Sequence, residues 1–253
     1  MIGKVFLIGA GPGDPELMTL RALRMLQEAD VVVYDRLVST EILAMHAEGA
    51  RLIPVGKAPK CHTVSQDRIN AILLEEARAG HIVARLKGGD PMIFGRGSEE
   101  AAYLLAQGVV VEYAPGITAA QGASSSTGVP LTHRGLATSV QYVTGHRQAD
   151  KVLDLDWKRL ADPDSTLVVY MGVANIGQIA MCLMTENLPG STPVLAVGNA
   201  TTPEECRLVS RLDRLAADVR EAELKAPTLF IIGKVVSLYA ERPVTELLEQ
   251  AHG

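Results

Sequence analysis

At 253 residues the chain can bury a sizeable core, as one large domain or two small ones. With 47% hydrophobic and 21% charged residues, and no apolar run near the ~18 residues a membrane span needs, it reads as a globular protein and excludes a membrane-spanning one. A formal net charge of −5 argues against nucleic acid as a partner, and the three scattered cysteines (Cys61, Cys182, Cys206) make neither a metal-ligand spacing nor a disulfide framework.

Strand and helix signals alternate from the first residues. Residues 5–8 read as a buried strand entered directly from the N-terminus, which leaves no room for a signal peptide and, with the odd cysteine count, fits the cytoplasm. The strand runs into Gly9-Ala10-Gly11-Pro12-Gly13-Asp14-Pro15. Asp14 is predicted to cap a helix with Pro15 at its first position and Leu17, Leu20, Leu23, Met25 and Leu26 as its apolar stripe. Residues 31–34 and 51–55 are the next strands, with Ser39 as a helix cap between them. Ser65 caps a helix that Gly80 stops, 82–86 is a fourth strand, Ser98 caps a helix to Gln107, and 109–113 is a fifth strand. Strands this apolar, separated by helices, predict a parallel sheet covered on both faces. The small, polar stretch 115–128 reads as a domain junction, which predicts domains at 1–114 and 115–253. Beyond it, strands are predicted at 140–144, 166–170, 193–197, 207–212 and 228–232, and helices at 176–186 and 214–222. One helix alone separates the last two strands, so mixed strand directions are expected there.

Two glycine-rich loops, each after an apolar run, carry most of the functional signal: the Gly9 loop and Gly88-Gly89-Asp90-Pro91. Glycine lets backbone approach a ligand closely, and a loop after a strand is where open α/β sheets hold theirs. A dinucleotide fingerprint wants a glycine where Asp14 stands and a backbone N–H where Pro12 stands, and Asp14 would set negative charge where a pyrophosphate should sit. No Gly-Lys-Ser/Thr follows, so a P-loop is excluded. The loops suggest a nucleoside-like ligand. Asp35 does lie near the spacing of a ribose-binding acid, so a nicotinamide dehydrogenase, a nucleotide-sensing module and a tight turn without ligand stay open from the loops alone.

The order and spacing of the motifs go further. Ile8 to Asp14, Val33-Tyr34-Asp35-Arg36-Leu37-Val38, Val55-Gly56-Lys57, Arg85-Leu86-Lys87-Gly88-Gly89-Asp90-Pro91, Ile93-Phe94-Gly95-Arg96-Gly97, Pro115 to Ala120, Pro130-Leu131-Thr132-His133-Arg134, Val143-Thr144-Gly145-His146 and Tyr170-Met171-Gly172 together resemble the tetrapyrrole methylases over nearly the whole chain. The resemblance implies two α/β domains with a cofactor cleft between them, usually a homodimer, and S-adenosylmethionine-dependent transfer of two methyl groups to carbons of uroporphyrinogen III, by way of precorrin-1 to precorrin-2. A methylase acting on a later corrin intermediate is the alternative within the family. By matched position, Pro12, Gly88, Gly89, Asp90, Ile93, Thr118, Ala119, Met171 and Ala200 would contact the cofactor. Asp35 matches the family's proposed base and Lys57 its proposed acid, while Arg96, Glu99 and Arg134 match positions that hold or act on the tetrapyrrole, with Glu99 a rival base.

The chemistry agrees with that resemblance. A sulfonium methyl is already electrophilic, so the protein mainly has to align it, and neither a metal nor a covalent nucleophile is needed. Uroporphyrinogen carries eight carboxylates, and basic residues gather at the loop ends (Arg36, Lys57, Lys60, Lys87, Arg96, Arg134, Arg147), with arginine the better carboxylate clamp. The motif after the third strand departs from the family as Lys57-Ala58-Pro59-Lys60, although His62, Gln66 and Asn70 follow in the expected places.

Overall fold

The computed structural model describes residues 2–56, 64–146 and 153–239. The chain divides into two compact units: Met1–Gly122 with Asn199–Glu205, and Ala123–Gly198 with Cys206–Gly253.

The first unit holds β1 (Lys4–Gly9), α1 (Leu20–Glu28), β2 (Val31–Tyr34), α2 (Thr40–Leu43), β3 (Arg51–Pro54), α3 (Gln66–Arg78), β4 (Ile82–Lys87), α4 (Gly97–Ala106) and β5 (Val110–Ala114). Its sheet has the order β3-β2-β4-β1-β5, and every pairing is parallel. Alternation along each strand feeds two cores. Val5, Leu7, Val31, Val33 and Val83 face Ile69, Leu73, Ala101 and Leu104 of α3 and α4. Phe6, Ile8, Val32, Ala84 and Leu86 face Ala22, Met25, Leu26 and Ile42 of α1 and α2. Each such side chain, once fully buried, stabilises the fold by roughly 1.5–3 kcal/mol. The connections β1 to β3 run one way along the sheet and those from β3 to β5 run back, so the carboxyl ends of β1 and β4 flank the reversal point where such sheets place ligands.

Several local expectations are corrected. Asp14 caps only a single turn, Pro15–Leu17, because Met18 and Thr19 are extended and the Thr19 hydroxyl restarts the helix by accepting from Ala22 N. Leu20, expected inward, is therefore exposed. The helix after the second glycine loop starts at Gly97, with Arg96 rather than Ser98 as its cap, because Gly95 and Gly97 fold tightly over Pro91 and the Gly97 N–H donates to Pro91 O at 2.9 Å. The stretch expected as a junction contains a helix of small residues, α5 (Ala119–Thr127), and the boundary between the two units falls within it.

The second unit contains β6 (Ser139–Thr144), α6 (Trp157–Leu160), β7 (Ser165–Tyr170), α7 (Ile176–Thr185), β8 (Pro193–Gly198), β9 (Cys206–Arg211), α8 (Leu215–Glu221) and β10 (Thr228–Ile232). The sheet order is β6-β7-β10-β8-β9, parallel only between β6 and β7. The mixed directions are those expected, but β9 pairs with β8 and not with β10: a short connection returns it antiparallel to β8, which makes it an edge strand. Leu167, Val169, Ala196 and Phe230 pack against Ile179 and Leu183 of α7 and Leu215 and Val219 of α8. Among the described residues no helix is long and apolar enough to cross a membrane.

One glycine contact fixes the ligand-facing edge of the first unit. Gly9, Gly89 and Gly116 pack backbone on backbone, so a Cβ at Gly116 would lie 2.1 Å from Gly89 O and 2.8 Å from Gly9 C. Only backbone atoms could yield. We expect Gly116→Ala to lower the unfolding free energy by about 1–3 kcal/mol, read as a lower urea midpoint, whereas an unchanged midpoint would contradict this packing.

Candidate active site

Three loop ends converge at the carboxyl edge of the first sheet because β1 lies between β4 and β5. The two glycine-rich loops clasp each other: Gly89 N donates to Gly11 O at 2.7 Å and Gly11 N to Gly89 O at 3.2 Å. Asp90 ties in the third loop, one oxygen accepting from Met92 N at 2.8 Å and the other from Gly116 N at 3.1 Å. Ile93 closes the same turn by donating its N–H to Asp90 O. Pro12 packs on Gly122, and Gly13 packs against Thr202 and the Ala200 carbonyl. The Thr201 hydroxyl accepts from Asp14 N at 3.2 Å, so the 199–205 segment belongs to the first glycine loop.

The result is a cradle of backbone. Gly89 has φ +69°, and a Cβ there would have nothing closer than Ala119 N at 3.9 Å and Thr118 Cα at 4.0 Å. Such a Cβ would meet only ordinary van der Waals contacts from the start of α5, so the positive φ, and not crowding, favours glycine at this position. Backbone strain gathers at the same edge: Phe94, Arg96, Asn199 and Thr201 all have positive φ, and Thr201 (φ +66°) is β-branched, a costly state that functional sites concentrate. Sequence reading offered no signal for that strain.

Beside the cradle lies a buried ionic quartet. Arg85 and Lys87 alternate along β4, and so face α3 and α4 together with Val83. Glu100 on α4, with no exposed surface, accepts from Arg85 Nη2 at 3.2 Å and from Lys87 Nζ at 3.1 Å. Gln66 Nε2 adds a third donor to the same oxygen at 3.0 Å and also reaches Asn70 Oδ1. Asp35, just past β2 and 28% exposed, takes Arg85 Nη2 at 2.8 Å on one oxygen and Lys87 Nζ at 3.5 Å on the other. Burial, then the Arg85 charge, pushes the Lys87 ammonium down, against the pull of Asp35 and Glu100. Two cations and two anions balance, which a buried cluster requires.

Glu99 is the acid expected on α4 from the sequence, yet its neighbour Glu100 is the buried one. The pattern did hold a clue: Glu100, Ala101 and Leu104 form a single inward stripe. Glu99 is instead exposed and forked by Arg96, with Arg96 Nη2 at 2.6 Å. Those hydrogen bonds hold the Glu99 carboxyl below the usual carboxylate range. Pro12, Gly88, Gly89, Asp90, Ile93, Thr118, Ala119 and Ala200 thus share one edge of the first unit, with Asp35 beside β4. Two expected residues belong to the second unit. Met171 follows β7 with φ +53° and is 48% exposed, and Arg134 is exposed in a turn where His133 Nδ1–H donates to its carbonyl. Lys57, Lys60, His62 and Arg147 lie outside the described residues.

The chain is similar to known proteins over nearly its whole length. A uroporphyrinogen-III C-methyltransferase of Paracoccus denitrificans is 56% identical over 94% of this chain and 83% of its own length. A siroheme synthase of Pseudoalteromonas atlantica is 51% identical over 93% of this chain, which spans only 51% of that longer protein. Among solved structures, a uroporphyrin-III C-methyl transferase from Thermus thermophilus, complexed with S-adenyl homocysteine, matches with a TM-score of 0.81 at 44% identity, over 94% of this chain and all of the other. The family model for tetrapyrrole (corrin/porphyrin) methylases matches residues 4–216, and with the two α/β sheets and the glycine cradle in place, the chain belongs to that family.

Proposed function

We propose that this chain transfers two methyl groups from S-adenosylmethionine to carbons of uroporphyrinogen III, by way of precorrin-1, to give precorrin-2 for siroheme, cobalamin or related tetrapyrroles. The observation that carries the reading is the 56% identity, across 94% of the chain, to the Paracoccus denitrificans uroporphyrinogen-III C-methyltransferase. Incubation of the protein with uroporphyrinogen III and S-adenosylmethionine, followed by product mass, tests it: a gain of two methyl groups is expected. An unchanged tetrapyrrole would favour a later corrin substrate. We also read the active species as a cytoplasmic homodimer.

When bound, S-adenosylmethionine supplies an electrophilic methyl group that needs alignment more than activation. Gly88, Gly89, Thr118, Ala119, Pro12, Ile93, Met171 and Ala200 are the residues we assign to holding it. Asp90 serves the same site through its backbone clamps, since both its oxygens already receive N–H groups. Arg96 and Arg134, exposed guanidinium forks, are assigned to the substrate carboxylates, and Lys57 to proton donation. A pyrrole carbon that gains a methyl group leaves its ring cationic, and one proton must then depart. Asp35 is the residue we assign as its acceptor, because it lies beside β4, the strand that leads into the second glycine loop, whereas Glu99 is an exposed acid forked by Arg96 and stands as the rival. Glu99 is then left to position Arg96.

Two variants separate these roles. Gly89→Ala places a Cβ in the cradle and strains a positive φ by about 1–2 kcal/mol, so S-adenosylhomocysteine affinity is expected to fall more than ~10-fold by calorimetry. Unchanged affinity in a folded Gly89→Ala protein would remove Gly89 from the site. Asp35→Asn keeps size and removes the base; turnover is expected to drop by ~10²–10⁴ while S-adenosylhomocysteine still binds. Near-normal turnover, with Glu99→Gln inactive, would transfer the role to Glu99.

A further inference from the structure

Asp35 does not choose its own orientation. Its two oxygens are held by Arg85 and Lys87, and both of those cations lean on a single carboxylate, Glu100. Arg85 Nε reaches both Glu100 oxygens at 3.3 Å, and Nη2 of the same guanidinium spans Glu100 at 3.2 Å and Asp35 at 2.8 Å. Lys87 Nζ likewise bridges Glu100 at 3.1 Å and Asp35 at 3.5 Å. Arg85 is 1% exposed, Lys87 5% and Glu100 0%, so Asp35, at 28%, is the most exposed member of the quartet.

We propose that Glu100 is a positioning residue for the methyl-transfer reaction: it fixes Arg85 and Lys87 so that Asp35 presents its carboxylate to the substrate in one orientation. The inference rests on the reading of Asp35 as proton acceptor. Two flexible cationic side chains facing one half-exposed carboxylate could pair with it in several ways, and a buried counter-charge behind them removes that choice. Gln66, from α3, orients Glu100 in turn by donating to Oε1 and to Asn70 Oδ1. Glu100 therefore sits at the centre of the cluster and Asp35 at its mouth. A charge used only for stability would not need both cations to touch the exposed acid. A buried ion pair is moreover often replaceable by apolar residues without loss of stability, so stability alone is a weak reason for the quartet.

The test compares Glu100→Gln with Glu100→Asp in the full chain, with turnover expressed per S-adenosylhomocysteine site counted by calorimetry, so that unfolded protein does not register as lost activity. Glu100→Gln is expected to lower kcat per site at least ~10-fold, with KM for both substrates within about threefold of the parent, and Glu100→Asp to recover part of kcat because it keeps the charge. Parent-like kcat per site in Glu100→Gln overturns the proposal, as does a rise in KM that accounts for the whole effect. If Glu100→Gln does not fold, the charge-balanced pair Lys87→Met with Glu100→Gln takes its place: at full S-adenosylhomocysteine stoichiometry the same ~10-fold loss is expected, and parent-like kcat overturns the proposal. Failure of the functional reading is distinct, since the parent protein itself would then leave uroporphyrinogen III unmethylated.

Discussion

A carboxylate with no exposed surface, Glu100, faces two buried cations on β4, and those cations in turn hold the half-exposed Asp35. Removing one of the buried members of such a cluster leaves an uncompensated buried charge, typically at a cost of about 3–5 kcal/mol. The four groups also connect the layers of the first unit. α3 supplies Gln66 and Asn70, α4 supplies Glu100, β4 supplies Arg85 and Lys87, and the loop after β2 supplies Asp35. The second glycine loop begins at the residue after Lys87. The charge cluster and the cradle are therefore anchored by the same strand.

The cradle makes the complementary demand, for absence of side chains. Gly9, Gly89 and Gly116 bring three loops into backbone contact, and Asp90 fastens two of those loops through main-chain N–H groups. A ligand held there meets few charges. The charges lie to one side, at the quartet that holds Asp35, the proposed proton acceptor. Such a division suits methyl transfer, in which the cofactor brings its own electrophile and the protein contributes alignment and a proton acceptor.

The sequence made most of this fold legible. Its apolar runs coincide with the ten described strands to within a residue, and the most buried of these, β1, β2, β8 and β10, are short continuous apolar runs too brief for a helix. It was least legible where tertiary contacts outvote local preference. Thr19 breaks the first helix because its hydroxyl also reaches Pro115 O, a contact ninety-six positions away in the chain. The run Ala119–Thr127, small residues apart from Gln121, carries no amphipathic stripe and reads as a junction, yet it is helical. At the site, glycine spacing located the cradle, while Glu100 stayed hidden behind Glu99. Choosing between adjacent acids requires the helix phase, which the inward stripe of Glu100, Ala101 and Leu104 carries. Positive φ at Thr201 leaves no trace in residue type at all.

A double-mutant cycle on kcat decides whether Glu100 acts through Asp35. With turnover referred to S-adenosylhomocysteine sites, Glu100→Gln is introduced into the parent and into the Asp35→Asn background. If Glu100 exists to orient the Asp35 carboxylate, its replacement costs nothing further once that carboxylate is gone, so the double variant should turn over at the rate of Asp35→Asn alone. Losses that multiply, with Glu100→Gln as damaging in the Asp35→Asn background as in the parent, would show that the two carboxylates act independently and would contradict the account.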